Sequence, residues 1–135
     1  MTYQLDIEPT KSKRPYVVEG HESRLGQVVS NILQNAQSFS PDGGVITAGL
    51  VEDRKWLTLT IADEGGGIRP GQEKKIFKRF YTDRPTLDEF GQNSGLGLSI
   101  SKQIIDAHGG SITVENIQND DGSVGGAKFS IQLPK

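Results

Sequence analysis

The chain has no cysteine and only two histidines among its 135 residues. Without cysteine there are no disulfides, thiolate metal sites or cysteine nucleophiles, and this composition is typical of a reducing compartment. Fifteen basic residues against seventeen acidic ones leave a net charge of −2. No basic run is dense enough to neutralise the phosphates of a nucleic acid, so we expect no nucleic-acid partner.

Long hydrophobic runs are missing as well. No apolar stretch approaches the roughly 20 residues that span a bilayer, and the segment from Met1 to Glu8 lacks the basic and apolar blocks of a signal peptide. Hydrophobic residues make up 33% of the chain and 17 residues are glycine, which favours a modest core with extensive loops. We expect one soluble domain over residues 1–135, without membrane contact.

The spacing of apolar residues predicts two helices, His21 to Phe39 and Leu96 to Ala107. Short β-rich runs predict strands at Thr2–Ile7, Arg14–Val18, Val45–Val51, Trp56–Ala62, Ser111–Ile117 and Ala127–Leu133. The runs Val45–Val51 and Trp56–Ala62 are predicted to form a hairpin. Residues 70–80 have room for one or two short helical turns, and residues 81–93 form a long loop without a period. This order predicts an α+β fold, a two-layer α/β sandwich with a mixed β-sheet covered on one face by helices.

Two asparagines, Asn31 and Asn35, lie one turn apart in the first predicted helix and therefore point to one face. Asparagine is a poor residue for a helix interior because its side chain competes for backbone hydrogen bonds. The pair indicates a role beyond solubility, although a solvated polar stripe is an equally good interpretation of this motif alone.

Two glycine-rich clusters follow. Asp63-Glu64-Gly65-Gly66-Gly67-Ile68 comes directly after a predicted strand, where such a motif usually marks only a turn. Ser94-Gly95-Leu96-Gly97-Leu98 opens the second helix, where bare backbone N–H groups can bind phosphate, although a short glycine motif is weak by itself. Together with the asparagines, these clusters offer an oxygen ligand for a hard cation, a carboxylate and a phosphate site. The combination indicates nucleotide binding.

In this order and spacing, the three clusters resemble the N, G1 and G2 boxes of the catalytic ATP-binding domain of sensor histidine kinases. That domain has the Bergerat-type fold shared with gyrase, Hsp90 and MutL. Residues Ile76 to Tyr81 resemble the F box, which the gyrase and chaperone branches lack. The resemblance covers essentially the whole chain. Residues 80–85 and 91–95 are further similar to envelope-stress kinases of the ChvG and ExoS kind.

The resemblance implies the roles of the polar residues. Asn35 is expected to coordinate Mg²⁺, and Asn31 to sit beside it and reach the metal or the phosphates, which makes these two the catalytic pair. Asp63 is expected to accept a hydrogen bond from the adenine amino group, which selects adenine over guanine. Gly65 and Gly67 let the backbone pass close to the base.

The remaining implied contacts with ATP come from the helix ends and the long loop. Residues 81–93 are expected to form a mobile lid over the nucleotide. Phe39 packs either against the adenine or in the core. The residues expected to complete the nucleotide site are Phe39, Ile68, Tyr81, Ser94, Gly95, Leu96, Gly97 and Leu98.

The chain departs from the family pattern at two positions. Ser38 stands where many members have a basic residue that touches phosphate, which leaves Lys78, Arg79 or Arg84 as candidates, and Gly66 stands where proline is common. Asn31 occupies the position of the water-activating glutamate in the gyrase and Hsp90 branches. Because an amide cannot act as a general base, we expect slow hydrolysis.

The resemblance implies two partners outside this chain, namely the dimerisation helices that carry the phosphoacceptor histidine and a response regulator. It implies a cytoplasmic domain of an inner-membrane sensor kinase. His21 and His108 lie at helix ends and are interpreted as structural. Two alternatives stay open, a free-standing anti-sigma-factor serine kinase, against which the F box argues, and a nucleotide-sensing interaction module without catalysis.

Overall fold

A computed structural model describes residues 2–7, 18, 20–41, 43–68, 71, 73–78 and 97–135. Within these ranges the chain forms five strands, two α-helices and one short 3-10 helix. The strands are β1 (Thr2–Ile7), β2 (Val45–Glu52), β3 (Trp56–Ala62), β4 (Ser111–Gln118) and β5 (Val124–Pro134). The helices are α1 (Glu22–Phe39) and α2 (Gly97–Ala107), and the 3-10 helix is Lys75–Phe77.

The five strands form one sheet in the order β1-β2-β3-β5-β4. β1 runs parallel to β2, and the other neighbours are antiparallel, so the sheet is mixed. The predicted α+β sandwich is therefore confirmed, as is the hairpin between β2 and β3. Asp53 holds that hairpin turn, because its Oδ1 accepts hydrogen bonds from the backbone N–H groups of Lys55 and Trp56 at 2.9 and 2.8 Å.

Both helices pack on one face of the sheet and enclose a single core. On α1, Val28, Ile32 and Ala36 recur every fourth residue and are almost fully buried, as expected for the inner face of an amphipathic helix. The Phe77 ring from the 3-10 helix meets the Phe129 ring of β5 edge to face, with centroids 6.2 Å apart. The other buried members are Ile46, Ile61, Ile76, Ile104, Ile105, Ile112, Val114, Ala127 and Ile131.

The predicted helix bounds agree with the structure to within one residue. β5 begins at Val124, three residues before the predicted start, because an irregular register at the end of β4 lets Val124 pair with Gln118. The sequence did not predict this extension, because glycines occupy positions 125 and 126. The predicted strand Arg14–Val18 and the loop over residues 81–93 lie outside the described residues, apart from Val18, which belongs to no strand. No helix in the described ranges is long and apolar enough to span a membrane.

Candidate functional site

The two asparagines of α1 are half-buried beside the apolar stripe of the helix. The Asn31 Nδ2 group donates hydrogen bonds to the Gly97 carbonyl at 3.2 Å and to the Ser101 Oγ at 3.3 Å. Ser101 is fully buried and donates to the same carbonyl at 2.8 Å. These contacts join the first predicted cluster to the beginning of α2, where the third cluster ends.

The Asn35 side chain has a different environment. No described residue forms a hydrogen bond with its amide, so the amide oxygen is available to a ligand. The described residues contain no group of three or more acidic or histidine side chains able to hold a metal ion. A hard cation next to Asn35 would therefore need most of its oxygen ligands from elsewhere, and a triphosphate supplies such oxygens.

Asp63 follows β3 and is 5% exposed. Its Oδ1 accepts hydrogen bonds from the backbone N–H groups of Gly65 at 2.9 Å and Ala127 at 3.2 Å. Its Oδ2 has no hydrogen-bond partner among the described residues. The carboxylate is thus held by one oxygen while the other remains an acceptor for a ligand.

Burial raises the pKa of the Asp63 carboxyl, and the hydrogen bonds from the Gly65 and Ala127 backbone oppose that rise. Removing a carboxylate from water disfavours the charged form, whereas N–H donors favour it. Among the described residues, no cationic side chain contributes to this balance. A buried carboxylate without a described counter-ion is costly to the fold, which is typical of a group retained for a ligand.

Close backbone approach from β5 fixes the position of Asp63. A Cβ atom added at Gly126 would lie 1.9 Å from the Asp63 carbonyl oxygen, and Gly126 has a φ of +147°. Only glycine combines this conformation with this proximity. The adjacent Ala127 then places its N–H on the carboxylate, with the Asp63 N–H donating back to the Ala127 carbonyl at 2.9 Å.

The loop after Asp63 is tied to the sheet by Asn116 of β4. The Asn116 Oδ1 accepts from the Ile68 N–H at 2.7 Å, and the Asn116 Nδ2 donates to the Ile68 carbonyl at 2.8 Å. Sequence reasoning missed Asn116, Ser101, Gly126 and Ala127. A signal existed for Asn116, because it continues the inward-facing series of Ile112 and Val114 with a polar residue.

The structure gives less information on the positions of the other predicted site residues. Ile68 and Leu98 are half-buried, and their side chains pack against the core. Phe39 is the last residue of α1. Tyr81, Ser94, Gly95 and Leu96 lie outside the described residues.

An open cavity of about 450 Å³ lies beside the Asp63 loop. None of the described residues predicted to bind nucleotide lines it. Its lining is Pro41, Gly43, Gly44, Glu64, Asn119, Val124 and Gly125.

Comparison with known families identifies the chain. The family described as histidine kinase-, DNA gyrase B-, and HSP90-like ATPase matches residues 20–135, and the chain belongs to this family. Membership implies ATP binding.

Several relatives with similar sequences are sensor kinases. The sensor protein ChvG of Agrobacterium fabrum is 48% identical over 124 residues, which is 91% of this chain and 21% of ChvG. The sensor histidine kinase WalK of Bacillus subtilis is 37% identical over 108 residues, 78% of this chain and 18% of WalK. The predicted resemblance to sensor histidine kinases, including ChvG, is confirmed. This chain spans about a fifth of the length of these relatives.

Solved structures agree with the fold. The mycobacterial sensor histidine kinase MprB superposes with a TM-score of 0.81 at 32% identity, over 98% of this chain and 80% of that one. The catalytic domain of histidine kinase ThkA, in a nucleotide-free form, gives a TM-score of 0.80 at 28% identity, over 99% of this chain and 80% of that one.

Proposed function

We propose that this chain is the catalytic ATP-binding domain of a sensor histidine kinase. It binds Mg·ATP and provides the γ-phosphate for a histidine on dimerisation helices that lie outside this chain, and the phosphohistidine then supplies an aspartate of a response regulator. The observation that carries the proposal is the buried Asp63 carboxylate, held through Oδ1 with Oδ2 left as an acceptor.

The hydrogen-bonding groups of adenine are complementary to the Asp63 carboxylate. The exocyclic amino group of adenine donates a hydrogen bond, and Asp63 Oδ2 accepts one. Guanine presents a carbonyl oxygen at the corresponding position, which would face the carboxylate with like polarity. The family membership and the two backbone hydrogen bonds on Oδ1 support this assignment.

The metal and the phosphates belong at the asparagine face of α1 and the beginning of α2. Asn35 has an amide oxygen without a hydrogen-bond partner among the described residues, which suits one position on Mg²⁺ carried by the triphosphate. Asn31 uses its Nδ2 on α2, so its Oδ1 is the atom left for the metal or the phosphates. The further nucleotide contacts in this proposal are Phe39, Gly65, Gly67, Ile68, Tyr81, Ser94, Gly95, Leu96, Gly97 and Leu98.

Phosphotransfer to histidine depends more on the positioning of the reacting groups than on a general base. The bond between the β,γ-bridging oxygen and the γ-phosphorus breaks, a bond from an imidazole nitrogen to that phosphorus forms, and ADP leaves. Imidazole is already a nucleophile, and an amide at Asn31 does not activate water. The domain would work on the cytoplasmic side of an inner-membrane parent kinase.

Two measurements test the proposal. Calorimetry of the chain with ATP and with GTP, each with Mg²⁺, should show binding of ATP and much weaker binding of GTP. Incubation with labelled ATP should leave the chain unlabelled by itself and should label a histidine when the dimerisation helices of the same parent are added.

The label should be labile in acid and stable in alkali, as a phosphoramidate is. A label labile in alkali would favour the serine kinase. Nucleotide binding without transfer to the helices would favour the interaction module. Labelling of His21 or His108 would contradict the structural interpretation of those residues.

A further inference from the structure

The Asn116 side chain forms a two-point clamp on the loop that follows Asp63. Its amide accepts from the Ile68 N–H at 2.7 Å and donates to the Ile68 carbonyl at 2.8 Å, so it pairs with both backbone groups of one residue. This pattern imitates the pairing of an antiparallel strand. One contact needs an acceptor and the other a donor, and the Asn116 amide supplies both at once.

The clamp also fills the space beside Gly67. Gly67 has a φ of +76°, and a Cβ added there would lie 2.6 Å from Asn116 Oδ1 and 2.5 Å from Val124 Cγ1. The loop is thus held at both ends, by Asp63 Oδ1 on the Gly65 N–H and by Asn116 on Ile68. Between these points lie consecutive glycines with large conformational freedom.

We propose that Asn116 is a positioning residue of the nucleotide site. It acts through the backbone of Gly65 to Ile68, which it holds in the conformation that receives the base next to Asp63. This inference rests on the proposed function and assigns a role to a residue that none of the three sequence clusters contains. Without the clamp the glycine loop would sample many conformations, and nucleotide binding would have to restrict it at a cost in affinity.

The variant that tests the clamp is Asn116→Ala, with Asn119→Ala as the matched control. Asn119 is an exposed asparagine just beyond β4, and its Nδ2 bonds to Ser123 Oγ within the β4–β5 turn at 3.1 Å. Loss of two hydrogen bonds should weaken ATP binding by roughly tenfold in Asn116→Ala. Asn119→Ala should bind ATP within about twofold of the unsubstituted chain, because it leaves the loop untouched.

A second variant separates hydrogen bonding from packing. Asn116→Asp keeps the size of the side chain but replaces the donor with an oxygen that faces the Ile68 carbonyl. A clamp therefore predicts weakened ATP binding in both variants, whereas a space-filling residue predicts normal binding in Asn116→Asp. Amide exchange at Gly65 to Ile68 should accelerate in Asn116→Ala without nucleotide and slow again at saturating ATP. In phosphotransfer to the helices, KM for ATP should rise while kcat changes little.

Equal ATP affinity in the unsubstituted chain and both Asn116 variants would overturn this inference alone. Normal affinity in Asn116→Asp would overturn it even if Asn116→Ala did not fold. Absence of ATP binding by the unsubstituted chain would overturn the proposed function as well, so the two failures are distinguishable.

Discussion

Asp63 and Ala127 exchange hydrogen bonds in both directions, although they are far apart in the sequence. The Asp63 N–H donates to the Ala127 carbonyl at 2.9 Å, and the Ala127 N–H donates to Asp63 Oδ1 at 3.2 Å. The Gly65 N–H also donates to this oxygen. Because Oδ1 receives two N–H donors, any hydrogen on the Asp63 side chain must sit at the other oxygen, where the proposed ligand would bind.

The first prediction is that Asp63→Asn weakens ATP binding without destabilising the fold. The amide must keep its oxygen on the two backbone donors, so its NH₂ group replaces Oδ2 and opposes the adenine amino group. We expect a loss of about 1.5–3 kcal/mol of binding free energy, the range for a hydrogen bond to a charged group. Burial raises the pKa of Asp63, so removal of the charge should leave the Tm unchanged or higher. Calorimetry and thermal unfolding measure the two effects.

Asp53→Asn is the matched control for this substitution. Backbone hydrogen bonds from Lys55 and Trp56 lower the pKa of the exposed Asp53 carboxyl, so loss of its charge should reduce the Tm slightly and leave ATP affinity unchanged. Unchanged ATP affinity in Asp63→Asn would show that the adenine assignment is wrong.

The second prediction concerns pH. Because burial raises the pKa of Asp63 above its ordinary value of 3.8, protonation places a hydrogen on Oδ2 at a pH where an exposed aspartate is still charged. ATP affinity should therefore decrease as the pH falls through the raised pKa.

The stability of the unliganded domain should change in the opposite direction. A group whose folded pKa is raised contributes stability that is fully present below its unfolded pKa and is lost as the pH rises through the folded pKa. Titrations of affinity and of Tm between about pH 4 and 7 measure both trends. Both should flatten in Asp63→Asn, and an unaltered pH profile in that variant would contradict the assignment to Asp63.

The third prediction is that Asn35→Ala abolishes the Mg²⁺-dependent part of ATP binding. The side chain has no hydrogen-bond partner among the described residues, and alanine is the better helix former, so the unliganded domain should be equally or more stable. Calorimetry with and without Mg²⁺ decides the matter. Gln34→Ala, at an exposed position of the same helix, should leave the Mg²⁺ dependence intact. Equal Mg²⁺-dependent affinity in the two variants would refute a metal-binding role.

The fourth prediction is that His108→Ala destabilises the fold. The His108 Nε2 accepts from the His21 N–H at 2.9 Å, so its Nδ1 carries the proton and donates to the Ile104 carbonyl at 2.8 Å. The ring joins the beginning of α1 to the end of α2. Its removal leaves the His21 N–H without this acceptor, whereas the Ile104 carbonyl keeps the backbone N–H of residue 108 at 3.2 Å. We therefore expect a loss of about 0.5–1.5 kcal/mol of stability.

His21→Ala is the control for that substitution. His21 is exposed, and its side chain makes no capping bond at the start of α1. We expect a change within about 0.5 kcal/mol in urea unfolding. Comparable stability losses in the two variants would contradict the asymmetry between these histidines.

The sequence alone determined the family and most of the described secondary structure, apart from the early start of β5. The spacing of apolar residues is a local property of the sequence. The spacing of Val28, Ile32 and Ala36 therefore predicts the buried face of α1 without knowledge of the fold. The clusters at Asn31, Asp63 and Gly97 are likewise contiguous motifs. Their residue types limit the chemistry to amide oxygens, a carboxylate and bare backbone.

Only the tertiary structure decided which residues complete the site. Ala127 reaches Asp63 across 64 positions, Asn116 reaches Ile68 across 48, and Asn31 reaches Gly97 across 66. Every residue except proline has a backbone N–H group. The residue type at position 127 therefore does not reveal that its N–H binds a carboxylate. Sheet register and helix packing determine such contacts, because they bring together segments that share no local sequence pattern.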